Sequence, residues 1–318
     1  MLKLKNTGAA VFVPDQSGED VALTRTTHLC VGAHQDDQEF MAYHGIAACY
    51  GSKDLWFSGV TVTDGAGSSR TGLYANTSNA EMMDIRKREQ NKAAFVGDYG
   101  IQIQLGYPSK QVKDAVNLTV VDDLETIFRI AKPDVLYVHN PADKHDTHVA
   151  VFLRCLTALR RIPVQERPSA VYGCEIWRSL DWLVDDEKVA LDAGARPNLA
   201  AALNGVFDSQ IAGGKRYDLA VLGRRMANAT FFESHAVDAT DSLSWAMDLT
   251  PLVQDDSLDP LTYTLGYIDR LREDVAERLR RFGSCKEERY CGSYSTTNSR
   301  RSIGYCGKNC SAVGARKA

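Results

Sequence analysis

The feature that most restricts the fold is the alternation, through the first 180 residues, of short apolar runs with amphipathic segments. Thr27 to Gly32 reads as a short buried strand. Gln38 to Tyr50 follows with helix-compatible residues and stops at Gly51, a favoured residue just past a helix end. Leu55 to Thr63 is rich in β-branched and aromatic residues and reads as a second strand. Ser78 and Glu81 have capping-box spacing and open a helix whose apolar side includes Met82, Ile85, Ala93 and Val96. Ile101 to Leu105 is a third strand, Thr119 begins a helix stopped by Pro133, and Val135 to Val138 is a fourth strand. Thr147 to Leu159 has helical spacing, and Ala170 to Ile176 is a fifth strand. Such a succession predicts an α/β fold, a mostly parallel sheet with helices on both faces. In such folds ligands collect at the carboxyl ends of the strands.

Residues 181–282 read as mainly helical, with helices over 198–211, 215–228 and 262–282. From Gly283 the composition shifts to Gly, Ser, Arg, Lys and Cys, which sets the expected boundary: a domain over 1–282 and a Cys-rich basic tail over 283–318. A chain of 318 residues, 44% of them hydrophobic, can bury a large core. The formal net charge of -4 argues against nucleic acid or an anionic membrane as partner. No run of 18 apolar residues appears, so no membrane span is expected. Met1 to Asn6 is too short and polar for a secretory signal, and a cytoplasmic protein is expected. Composition leaves a homo-oligomer open. Cys30, Cys49, Cys155 and Cys174 sit in apolar surroundings and read as buried free thiols. Cys285, Cys291, Cys306 and Cys310, spaced C-x5-C-x14-C-x3-C, are compatible with a second, structural zinc, with disulfides or with free thiols.

Two clusters follow strands directly. The first is His34-Gln35-Asp36-Asp37. An Asp at a helix N-terminus is favourable through capping and the helix dipole, which accounts for one carboxylate. It accounts less well for His34 and the second Asp. His34 and Asp37 are three apart, so one turn of backbone can aim both at a shared point, and an imidazole with a carboxylate suits zinc. Asp36 then points elsewhere, toward a metal-bound water whose proton it could take.

The second cluster runs from His139 to His148 and holds three of the seven histidines, with His145 and His148 three apart. One cluster supplies a His and a carboxylate, and the other supplies a further His. Three protein ligands with a fourth position for water is the pattern of catalytic zinc. Amide hydrolysis also needs a base, an oxyanion stabiliser and an acid, roles that Asp36 and His145 can fill.

These residues resemble a known family. Ala33-His34-Gln35-Asp36-Asp37 resembles the Ala-His-Pro-Asp-Asp motif of the PIG-L/LmbE-like N-deacetylases, and His145-Asp146-Thr147-His148 resembles that family's later His-x-x-His element. Thr63-Asp64-Gly65, the Arg86-to-Glu89 helix, Pro133-Asp134-Val135, Glu175-Ile176-Trp177-Arg178 and Asp208-Ser209-Gln210 also fit, so the resemblance spans roughly 27–250. It implies a Rossmann-like fold and hydrolysis of an N-acyl group, as a rule acetyl, from a glucosamine-containing small molecule or glycan. It implies zinc ligation by His34, Asp37 and His148, a general base at Asp36, and an oxyanion-stabilising, leaving-group-protonating role for His145.

The chain departs from the family pattern at Gln35, where the motif has Pro, and between the histidines, where Asp146-Thr147 replaces Pro-Asp. If the usual Asp orients a neighbouring His, Asp146 or Asp143 must do so here by another route. Asp64 and Arg70, in the Gly/Ser-rich loop after the second strand, are candidate substrate contacts; a plain surface loop explains them equally well. No G-x-G-x-x-G follows the first strand and no G-x-S-x-G appears, which argues against a dinucleotide oxidoreductase and a serine hydrolase. A non-catalytic metal- or sugar-binding protein could keep the ligands, but would have no use for Asp36 and His145.

Overall fold

The structure, a computed structural model, describes residues 2–283. Eight strands form one sheet: β1 (Ala10–Phe12), β2 (His28–Gly32), β3 (Phe57–Thr63), β4 (Ile101–Tyr107), β5 (Val135–His139), β6 (Ala170–Cys174), β7 (Lys188–Asp192) and β8 (Leu243–Asp248). Their order is β1-β4-β3-β2-β5-β6-β8-β7. The five central strands, β4-β3-β2-β5-β6, are parallel, while β1, β8 and β7 pair antiparallel at the edges. The chain leaves β2 toward β3 and β4 on one side and returns to place β5 on the other. The carboxyl ends of β2 and β5 therefore flank the topological switch point, where open α/β sheets bind ligands.

The helices are α1 (Glu19–Thr24), α2 (Asp37–Met41), α3 (Tyr43–Cys49), α4 (Asn79–Val96), α5 (Ser109–Lys113), α6 (Thr119–Ala131), α7 (Asp146–Arg160), α8 (Pro197–Gly205), α9 (Asp208–Ile211), α10 (Tyr217–Phe231), α11 (Thr250–Gln254) and α12 (Pro260–Phe282). The capping box at α4 is formed: Ser78 Oγ accepts from the Glu81 amide, and Glu81 Oε2 accepts from the Ser78 amide. α6 ends as Pro133 demands, with Lys132 turned into the left-handed region.

Strand alternation divides the core into two layers. Leu29, Val31, Leu136 and Val138 face one cluster with α6 and α7, while Cys30 and Tyr137 face the other with α3 and α8. Cys30, Cys49, Cys155 and Cys174 are buried and free, as expected.

Several elements differ from the sequence reading. The stretch 38–50 is two short helices, because Ala42 (φ -115°, ψ 20°) breaks the ladder between α2 and α3. The stretch 198–211 is likewise divided, into α8 and α9. The region read as helical contains β7 and β8, whose Ala, Leu and Met residues carry no strand signal; β8 is held extended by pairing with β6, and β7 by pairing with β8. β1 is three residues long, too short for periodicity to reveal.

Contacts divide the chain into units of 1–277 and 278–318. Cys285, Cys291, Cys306 and Cys310 lie outside the described residues. Among the described residues no helix is long and apolar enough to cross a membrane.

Candidate active site

β2 ends at Gly32, and the chain turns back so sharply that a Cβ there would stand 2.9 Å from Asp37 Cβ. The turn is closed by Asp37 Oδ2, which accepts from the His34 amide at 2.7 Å. From the neighbouring strand, β5 delivers His139 and the loop leading to α7. His148, in the first turn of α7, reaches back under the β2 loop.

The three ligands expected from the sequence converge. His34 Nδ1 lies 3.3 Å from Asp37 Oδ2 and 3.2 Å from His148 Nε2, and His148 Nε2 lies 3.5 Å from Asp37 Oδ2. Donors at about 2.0–2.1 Å from a tetrahedral zinc stand about 3.3–3.4 Å apart. The triangle therefore has the size of one face of such a site, and two nitrogens with one oxygen suit a borderline metal.

Asp143 supports the triangle. Its Oδ2 stands 3.4 Å from His148 Nδ1 and accepts from the Trp177 amide at 3.2 Å, while Oδ1 accepts from the His145 amide at 3.0 Å. A carboxylate on Nδ1–H leaves Nε2 with its lone pair free for a metal.

A second grouping, Asp37 with His139 and His148, is wholly buried, and a third joins His34, His145 and His148. His139 was given no role by the sequence, though it stands in the same run as His148. Its Nε2 accepts from the Ala33 amide at 2.9 Å and lies 3.3 Å from Asp37 Oδ2. That nitrogen is already engaged and His139 is absent from the cleft lining, whereas His34 and Asp37 both border the cleft. The His34 grouping is thus the one a substrate can reach.

Electrostatics separate the two adjacent carboxylates. Burial works to raise both. For Asp37, His148 and His139 more than offset it, and the carboxyl lies well below its ordinary range. For Asp36 burial wins over the attraction of Arg86, and its affinity for a proton rises well above that of a free carboxyl. Burial, with His148 and His34 beside it, lowers His145 to about 4, so the ring is neutral at pH 7. Its Nδ1 accepts from the Thr147 amide at 3.3 Å, which leaves the proton on Nε2.

Asp36 also carries a backbone irregularity. Its φ of 91° with ψ of -30° is unusual for a residue with a Cβ and costs on the order of 1–3 kcal/mol.

A cleft of ≈ 660 Å³ is bordered by His34, Asp36, Asp37 and His145, by the aromatic rings of Phe40, Trp177 and Tyr217, and by Ser68 and Ser69. The Trp177 ring centre is 6.0 Å from His145 and 6.2 Å from Tyr217, and Lys215 Nζ stands 5.3 Å from it. Asp64 and Arg70 are not brought to this cleft. Arg70 spends its guanidinium on Thr77 O, Ala66 O and Asn79 Oδ1, and Asp64 accepts from the Ala66 amide, so both brace their own loop. Ser68 and Ser69 of that loop line the cleft instead.

Residues 29–159 match the family model PIG-L, described as GlcNAc-PI de-N-acetylase. This segment of the chain is similar to a PIG-L domain. The match takes in both clusters and the strands that deliver them, β2 and β5. Among solved structures, an N,N'-diacetylchitobiose deacetylase from Pyrococcus horikoshii aligns over 72% of this chain and 86% of its own, with a TM-score of 0.57 and 15% identity. A conserved protein from Thermus thermophilus aligns over 70% and 94%, with a TM-score of 0.53 and 16% identity. The 4-carboxy-2-hydroxymuconate hydratase GalB from Pseudomonas putida aligns over 70% and 96%, with a TM-score of 0.52 and 16% identity. Comparison with curated proteins finds no match. The fold of the PIG-L domain thus occurs with a hydrolase and with a hydratase, and only the site can choose between reactions.

Proposed function

We propose that this protein is a zinc-dependent N-deacetylase acting on an amino-sugar substrate. The observation that carries the reading is the near-equilateral triangle of His34 Nδ1, Asp37 Oδ2 and His148 Nε2 beside a cleft that also exposes Asp36 and His145. A zinc ion held by those three atoms supplies Lewis acidity toward a carbonyl and acidifies water.

The chain's own residues do the rest. Asp36, with its raised proton affinity, takes a proton from the attacking water as the new C–O bond forms. His145 donates Nε2–H to the carbonyl oxygen as charge develops there, and does so as a neutral imidazole rather than as the imidazolium that leaving-group protonation would call for. The proton held on Asp36 then passes to the departing nitrogen as the C–N bond breaks, giving a carboxylic acid and a free amine. Trp177 and Tyr217 offer flat apolar surface to a sugar ring, and Ser69 offers a hydroxyl to its polar edge.

The test is Asp36→Ala, with zinc content measured beside release of free amine from a panel of N-acetylhexosamine derivatives. The expected variant holds zinc stoichiometrically and loses roughly 10²–10⁴-fold in kcat. A variant with zinc and full activity rules out Asp36 as base, and a wild-type protein that releases no amine from any of them rules out the reaction.

A further inference from the structure

The strained backbone of Asp36 needs something to hold it, since such conformations persist only where their surroundings leave no alternative. The holding group lies on the inner side of α4. Gln90 is fully buried, and its Oε1 accepts from the Asp36 amide at 3.1 Å. Its Nε2 donates to Glu39 Oε1 at 2.9 Å, and the same oxygen accepts from Tyr99 Oη at 2.7 Å. The side-chain amide is thus engaged at both ends and its orientation is determined: the nitrogen must face the Glu39 carboxylate, so the oxygen must face Asp36. One turn earlier on α4, Arg86 donates to Gln35 O at 2.7 Å and stands 3.4 Å from Asp36 Oδ2. The hydrogen bonds of Gln90 go to Asp36 and Glu39, not to His34, Asp37 or His148, and Gln90 does not border the cleft.

We propose that Gln90 is a positioning residue for the base. It fixes the Asp36 backbone in its irregular conformation and so aims the carboxylate into the cleft. The inference rests on Asp36 being the base, and it adds a residue outside the cleft lining that acts on the reaction by holding the Asp36 backbone. A misplacement of about 1 Å at a reacting group costs on the order of 10²-fold in rate.

The experiment uses the full-length, zinc-loaded protein and the N-acetylated sugar that the wild type turns over. Gln90→Met keeps the volume and removes both hydrogen bonds. The expected result is a roughly 10–100-fold lower kcat with KM and zinc content unchanged, together with faster hydrogen exchange at the Asp36 amide. In an Asp36→Ala background, Gln90→Met should cost nothing further. The exchanged pair Gln90→Glu with Glu39→Gln keeps an acceptor for Asp36 and a donor between the two side chains, with the Tyr99 hydroxyl oxygen turned to accept from the second N–H of the new amide at position 39, and should return kcat to within a few-fold of wild type. An unchanged kcat or unchanged Asp36 exchange in Gln90→Met overturns the proposal, as does an equal further loss in the Asp36→Ala background. Should Gln90→Met not fold, an exchanged pair that folds, holds zinc and stays slow also overturns it. Full activity in Asp36→Ala alone is a different result: it removes the base assignment and the positioning role with it.

Discussion

At the scale of the residue, the site depends as much on what holds each ligand as on the ligands. Asp143 binds the His145 and Trp177 amides and faces His148 Nδ1, so one carboxylate ties the loop after β5, the start of α7 and the segment after β6. Replacing it by alanine leaves His148 free to rotate and removes the acceptor for its Nδ1–H. Asp143→Ala is expected to weaken zinc binding by roughly 10–100-fold, measured by competition with a chromophoric chelator. An affinity equal to wild type removes the orienting role. The convergence of His34, Asp37 and His148 was legible because histidine and carboxylate spacing after a strand is a chemical pattern as well as a structural one. The supporting groups were not. Whether a loop arginine such as Arg70 meets substrate or its own loop depends on which carbonyls its five donors reach, and residue type does not encode that. Gln90 and Asp143 are ordinary polar residues whose importance lies entirely in their partners.

At the scale of the element, the central parallel strands were readable because burial on both faces demands continuous apolar runs. The edges were not readable: β7 and β8 exist through pairing, with composition that favours helix equally well. Between these cases lies β3, apolar at Val60 and Val62 yet carrying Gly59 at its middle. A Cβ there would stand 1.9 Å from Gln38 Oε1 and 2.3 Å from Gln102 Oε1. Gln38 also donates to Thr61 Oγ1 and belongs to α2, which begins at Asp37, one of the three proposed ligands. Gly59→Ala therefore pushes on the helix that carries Asp37. The expected cost is about 1–3 kcal/mol in urea unfolding, accompanied by weaker zinc binding. Loss of stability with unchanged zinc affinity would show that β3 and the metal ligands are mechanically independent. At α4 the opposite holds, because its start was fully legible. The capping box is a local code, and Ser78→Ala is expected to cost about 1 kcal/mol by the same measurement, with no effect on zinc.

At the scale of the whole molecule, the metal candidate joins parts of the chain that only the finished sheet brings together. His34 and Asp37 follow β2, His148 follows β5, and Asp37 and His148 stand 111 positions apart in the sequence. An ion bound by all three therefore binds the folded chain and not the unfolded one, and by mass action it stabilises the fold. At free zinc about 100-fold above the dissociation constant the gain is ~2.7 kcal/mol, a rise in melting temperature of roughly 4–5 °C for a chain of this size. A chelator should reverse the rise, and His148→Ala should abolish it. Residues 284–318 carry four cysteines that are themselves able to bind zinc. Truncation after Gly283 separates the two sources: with the ligands at 34, 37 and 148, the truncated protein keeps the full shift. A shift that survives His148→Ala and vanishes on truncation would assign the stabilising zinc to the tail, and the triangle at the switch point would lose its claim to a metal.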